Sequence, residues 1–262
     1  IYIGARSLSG AAMYAVSAAT GANVWPAPAP LPAGFEVRST AAVFSVAGLL
    51  YVGLGPPAAS LGPAVGPSAV VALRLADGSA AWSGPAMLPT SPPPTGLTVG
   101  YTGSGAQPGP GGVLPALIQA AVFVAAGPNV TALSAYTGSP IWDRVLPSET
   151  AFQGPPVLST AASGGSTLYL GGASGRLYAL NSITGADATV SLTTLAPVTG
   201  TMALAGTALY VPTASGLAAV DVTSGGLIWL SPQPAGSGVA VAGGSPYVAT
   251  PTGQFVGFSR QF

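Results

Sequence analysis

One unit recurs along this chain and limits what it can fold into. It is an apolar run, a short turn, a second apolar run, a Thr-Gly or related turn, and a third run often closed by Trp. Copies occupy 1–25, 49–82 (with an insertion), 120–142, 167–190 and 208–229, and a partial copy begins at 246. The turn glycines are Gly21, Gly78, Gly138, Gly185 and Gly225, spaced 57, 60, 47 and 40 residues apart. Runs such as LLYV, LYLG and ALYV are short and rich in β-branched and aromatic side chains, as strands are. A further run of small residues precedes most copies, at 40–48, 96–101, 155–160, 200–206 and 238–244. Small side chains suit the innermost strand of a blade. Each unit therefore has four strand positions, A to D from the inside outwards. Repeated four-stranded antiparallel units of this period predict an all-β chain, a β-propeller. The first copy lacks strand A and the last lacks strand D. The expectation is a single domain over 1–262, with six blades of which the first and last are incomplete. The opening at Ile1, without an initiator Met, reads as a mature form or a fragment of a longer chain. Closure has three open routes: irregular six-bladed closure, a longer array, or strand donation from a neighbouring molecule.

The segments GRLYALNSITG (175–185), TGSPIW (137–142) and ATGANVW (19–25) resemble the PQQ-like repeat family of β-propellers. The resemblance spans nearly the whole chain and implies fold more than activity. That family includes quinoprotein dehydrogenases as well as outer-membrane assembly scaffolds. The dehydrogenases use a calcium site of acidic and Asn ligands, a catalytic Asp, and Arg or Lys near the quinone. No matching cluster can be placed on these residues.

Composition narrows the chemistry. Charged residues make up 5% of the chain: six acidic residues against six basic ones, all Arg. There is no Lys, His or Cys. That excludes imidazole bases, thiol nucleophiles, zinc fingers and disulfides. The zero net charge argues against nucleic acid. An apolar fraction of 49% argues against disorder despite 38 Gly and 27 Pro. The longest apolar run, Val113–Ala126, is broken by Pro115 and Gln119 and is too short to span a bilayer as a helix. A transmembrane barrel would use the QFVGFSRQF ending, but Arg260 interrupts its apolar face and the strands are short.

Among the acids, Asp77 and Asp221 sit at turns, Asp187 just past one, and all three read as structural. Glu36 with Arg38, and Asp143 with Arg144, read as local ion pairs or solvated groups. Glu149 lies in PSET with no partner carboxylate to choose. No catalytic residue, cofactor site or metal site is assigned. Trp25, Trp82, Trp142 and Trp229 stand at one repeat position, at the ends of D strands. Four equivalent positions imply packing between blades.

Four Pro/Gly-rich insertions interrupt the early copies, at 26–34, 55–69, 83–96 and 102–116. PAPAPLP and SPPPT resemble the glycomodules of hydroxyproline-rich wall glycoproteins. The Asn129-Val130-Thr131 triplet is an N-glycosylation sequon, placed by the repeat at a turn open to solvent. So few charges leave a surface poorly protected against association. The expectation is a non-catalytic extracellular or cell-surface module, glycosylated, a subunit of a filament, sheath or wall. Its partners are further copies or other cell-surface proteins, and glycans. Two rival readings stand beside it: a scaffold propeller like the outer-membrane assembly factors, and a degenerate quinoprotein or carbohydrate-active enzyme.

Overall fold

The computed structural model describes residues 1–7, 10–57, 66–89, 92–102, 119–160, 166–233, 235–250 and 252–258. Most of the insertions at 55–69 and 102–116 lies outside these residues, as do 90–91 within the third insertion and the terminal 259–262 with Arg260. Among the described residues the secondary structure is antiparallel strand and one 3-10 turn at Ser45–Ala47, with no α-helix.

The strands form six sheets. The first holds β1 (Tyr2–Ser7), β2 (Gly10–Ala15) and β3 (Ala29–Pro30). The second holds β4 (Glu36–Val37), β5 (Ala42–Phe44), β6 (Leu49–Gly55), β7 (Ala69–Arg74) and β8 (Ala86–Met87). There β4 and β5 share one edge of β6, so strand A is broken in two. The third runs β9 (Gly96–Tyr101), β10 (Ala120–Ala126), β11 (Asn129–Ser134) and β12 (Pro140–Val145). Among the described residues the fourth holds β13 (Val157–Thr160), β14 (Ser166–Gly171) and β15 (Leu177–Asn181). The fifth runs β16 (Ala203–Ala205), β17 (Ala208–Thr213), β18 (Gly216–Asp221) and β19 (Leu227–Ser231). The sixth holds β20 (Val239–Ala242), β21 (Ser245–Ala249) and β22 (Phe255–Gly257).

The chain divides into two compact units, 1–100 with 120–143, and 101–119 with 144–262. In the first, β6 and β10 are buried along their whole length. Both are near-continuous apolar runs, as expected of strands covered on both faces. Met13, Trp25, Leu50, Val52, Leu54 and Leu73 form one of its cores. In the second, Tyr169, Leu177, Leu209, Val211 and Val220 pack together. Each fully buried aliphatic side chain contributes about 1.5–3 kcal/mol.

Three features differ from the sequence reading. Trp142 and Trp229 lie within β12 and β19 and not at their ends, and Trp25 and Trp82 do not end D strands at all. The latter two sit in bends between an isolated bridge (Val16 with Asn23, Leu73 with Ala80) and the short strands β3 and β8. Pro26 follows Trp25, and Pro85 lies close behind Trp82. Proline donates no backbone hydrogen bond, so the ladder breaks and resumes beyond it. Consequently the segments at 26–34 and 83–96 are not simply projecting loops. Ala29 pairs with Met13 and Ala86 with Val70, and Leu31 and Leu88 are buried. Finally, among the described residues the fourth sheet has no D strand. After the bridge of Leu180 with Asp187 the chain leaves the sheet.

Candidate functional site

The five turn glycines share one local geometry. Gly21, Gly78, Gly138, Gly185 and Gly225 have φ between 71° and 77°. Each donates its N–H to the carbonyl four residues earlier, Ser17, Arg74, Ser134, Asn181 and Asp221 respectively. Left-handed φ strains any residue with a Cβ, so glycine is favoured there. The side chains at those earlier positions can cap the turn. Asn181 Oδ1 accepts from the N–H groups of Ile183 and Thr184, and Asp221 Oδ1 from the N–H and hydroxyl of Thr223. Asp77 Oδ1 accepts from Ser79 N–H. These bonds hold the Asp221 and Asp77 carboxyls below the usual aspartate range, led by Thr223 and Ser79.

Two tryptophans clasp the turn of the following sheet within the first unit. A Cβ on Gly78 would lie 2.8 Å from Trp25 Cε3, and one on Gly138 would lie 2.7 Å from Trp82 Cε3. The Trp25 indole N–H donates to Leu75 C=O at 2.8 Å, and that of Trp82 to Ala135 C=O at 3.0 Å. Leu75 and Ala135 stand at the same place in their repeats. Tyr51 OH also donates to Ala135 C=O, at 3.0 Å, and burial pushes its phenol up. Each Trp also meets an aromatic ring of its own sheet at a tilt: Trp25 with Tyr2, Trp82 with Tyr51, Trp142 with Phe123 and Trp229 with Tyr210. Trp229 stacks on Phe258 as well.

Asn129 is not open to solvent. It is 3% exposed at the start of β11, where a tight turn returns the chain against β10 and Asn129 pairs with Ala126. Its sequon partner Thr131 is buried and donates to Asp143 at 2.6 Å. A glycan on Asn129 would have to displace this packing.

The ion pairs also differ from the local pairing read in sequence. Glu36 pairs with Arg6, while Arg38 donates to Pro56 C=O. Arg144 grips both carboxylate oxygens of Asp187, at 2.9 and 3.0 Å.

The most concentrated polar site lies in the second unit, around Glu149. This carboxylate is 4% exposed. It accepts hydrogen bonds from Ser174 N–H at 3.2 Å, from the Ser174 hydroxyl, and from Tyr178 OH at 3.0 Å. Its carboxylate lies against Gly172, where a Cβ would overlap it. The Ser148 hydroxyl lies 2.8 Å from Tyr178 OH, and the Arg176 guanidinium sits over the Tyr178 ring, 5.5 Å from its centre. Burial raises the Tyr178 phenol above its ordinary value, and the Glu149 charge adds to the rise. Ser148, Ser174, Arg176 and Tyr178 line a cavity of about 600 Å³ that continues along β15 to Asp187 and Thr194. That size suits a small ligand or a short peptide. Sequence reasoning placed only Glu149. Ser174, Arg176 and Tyr178 lie in the quoted 175–185 segment or beside it, but only the hairpin between β14 and β15 brings them to Glu149. Among the described residues no cluster of three His, Cys, Asp or Glu forms a metal site.

The family model for PQQ-like repeats, described as outer membrane protein assembly factor BamB, matches residues 119–261, more than half of the chain. The chain belongs to this family. No curated protein sequence matches. Among solved structures, BamB from Moraxella catarrhalis is similar over 99% of this chain and 72% of its own, at 18% identity and a TM-score of 0.62. BBS1N, crystallised in complex with ARL6DN, is similar over 96% and 70%, at 12% identity and a TM-score of 0.60. The computationally designed Ika8 protein is similar over 98% and 80%, at 11% identity and a TM-score of 0.56. The fold is a β-propeller built of antiparallel sheets, like that of these proteins.

Proposed function

We propose that this chain is a non-catalytic interaction propeller displayed outside the cell, a glycosylated subunit of a surface filament, sheath or wall. One observation carries the reading. In the edge strand β19, Leu227, Ile228 and Leu230 are each between 46% and 49% exposed, in a segment with no charge. An apolar edge strand without charge or proline is a ready template for another chain. Natural proteins normally guard such an edge, and here the guard is missing from a chain that is only 5% charged. Phe255 on β22, 85% exposed, adds to the apolar surface of the same unit. Glycan would then sit on the Pro-rich segments and not on the buried Asn129. Electron microscopy of the native material is expected to show ordered assemblies, and dispersed monomers would refute assembly. An intact mass of the bare 25.2 kDa would refute glycosylation.

Membership of the BamB-described family favours a second reading, a scaffold that holds one partner without self-assembly. Light scattering on the purified chain separates the two. A monomer at all concentrations, together with a stoichiometric native complex, supports the scaffold.

A further inference from the structure

We propose that the stretch of the β15 edge left open at Leu177 receives the extended C-terminal end of another polypeptide, whose last residues take the missing fourth-strand position with the terminal carboxylate at Arg176. The inference deepens the interaction reading above by naming a partner chemistry and its place.

The repeat itself defines the vacancy. Met13, Val70 and Leu217 each stand eight residues before a turn glycine, and each faces a residue of a fourth strand: Ala29, Ala86 and Ser231. Leu177 holds the same position in the fourth sheet and faces the cavity. Alternate residues of an antiparallel strand bond to the same neighbour. Gly172 N–H donates to Arg176 C=O, so Arg176 and Tyr178 bond towards β14. Leu177 and Ala179 direct their backbone groups to the other side. There Ala188 N–H reaches Ala179 C=O, and among the described residues nothing reaches Leu177.

The cause is visible in the next turn. Where Trp25 and Trp82 cover Gly78 and Gly138, the fourth repeat has Thr189 at the Trp position and no indole to offer. Its backbone covers the following turn instead: the Ser191 carbonyl lies where a Cβ of Gly225 would stand, and Thr193 N–H donates to Gly225 C=O. Segment 189–194 is thereby drawn off β15. A second difference reinforces this. Gly216 admits the Ser231 carbonyl of its own D strand, whereas its counterpart in the fourth sheet is Arg176.

The geometry selects the occupant. Asp187 and Ala188 already hold the far end of this edge, at Leu180 and Ala179, so a chain antiparallel to β15 would pair only beyond them, at Leu177, and run towards Arg176. It would have to end there, because Leu195 N–H bonds to Gly175 C=O and closes the lower end of the groove. A free carboxylate suits that position. Among the described residues Arg176 has no carboxylate partner, whereas the Ser174 hydroxyl is committed to Glu149 and the Ser148 hydroxyl to Tyr178 OH, which leaves the guanidinium as the group that would hold the carboxylate. Backbone pairing to a strand edge with capture of a chain terminus is an established mode of peptide recognition.

The probe is a fluorescein-labelled peptide of this chain's residues 226–231, GLIWLS, whose sequence already serves as a fourth strand in the fifth sheet. Fluorescence polarisation with the whole chain is expected to give saturable binding. Binding should weaken about tenfold when the peptide ends in an amide, and similarly in Arg176→Gln, each removing one charge-assisted contact. Hydrogen exchange should slow at the Leu177 amide when peptide is added. Equal affinity for acid and amide, unchanged exchange at Leu177, or no binding up to ~1 mM overturns the proposal. Each of those results leaves the microscopy test of assembly untouched, so the two readings fail separately.

Discussion

Replacing Gly138 by alanine tests the Trp clasp quantitatively, because Gly21 provides a matched control. Both residues have nearly the same φ, 74° and 71°, and both donate to the carbonyl four residues earlier. Alanine at either position carries the left-handed strain of about 1–2 kcal/mol. They differ in what a Cβ would meet. At Gly21 it would meet no atom of the described residues within 4 Å beyond its chain neighbours, and at Gly138 the Trp82 indole lies at 2.7 Å. To make room, Trp82 must move off a site where it is 6% exposed. That weakens its bond to Ala135 C=O, worth about 1 kcal/mol. It also disturbs its contact with the Tyr51 ring, worth about 0.5–1.5 kcal/mol. Gly138→Ala is therefore expected to destabilise by about 2 kcal/mol more than Gly21→Ala. Urea unfolding of both variants, with slopes compared to establish a common transition, measures the difference. The same substitution in a Trp82→Ala background removes the steric partner, and there the excess should vanish. Equal losses at Gly21 and Gly138, or an excess that persists without Trp82, would refute the clasp.

Trp82→Phe keeps a ring but deletes the indole donor, and should cost about 1–3 kcal/mol by urea unfolding; a neutral result would show that the Ala135 bond is unimportant. Gly172→Ala should expel the Glu149 carboxylate from Ser174 and Tyr178 and lower stability by about 2–4 kcal/mol, whereas retained melting temperature would show the cradle to be loose. Ile228→Lys puts a charge on the β19 edge at a half-exposed position, so assemblies should dissolve without loss of folding, and unchanged filaments would remove β19 from the contact. With no Lys and no Cys, tyrosines are the side chains that titrate between neutral pH and the arginines. Burial raises Tyr51, Tyr169 and Tyr178, so the unfolded chain loses these protons first. Stability should be fully present below about pH 10 and fall as pH rises beyond it. A melting temperature that stays flat from pH 9 to 12 would contradict that linkage.

The fold class and family were legible because both are written in local pattern. Each repeat carries its own strand-forming runs and its own turn, and neither depends on a distant residue. The left-handed φ at Gly138 belongs likewise to one residue and its neighbours. The Pro-rich segments show where this reading stops. From sequence they are insertions, and only the register of Ala29 with Met13 and Ala86 with Val70 makes them strands. Asn129 shows the same limit from the other side. A sequon is three residues, but its exposure is set by β10 and by Asp143.

Local pattern alone makes this chain a repeat of antiparallel β units, poor in charge and without imidazole or thiol chemistry. Tertiary structure decided which edges are filled. Tyr178 and Ser174 meet Glu149 only after a hairpin has folded back, and the Ser191 carbonyl is placed at the Gly225 turn. Turn geometry and strand propensity are properties of a few adjacent residues. Edge occupancy is a competition between segments far apart in the chain, settled only when they meet.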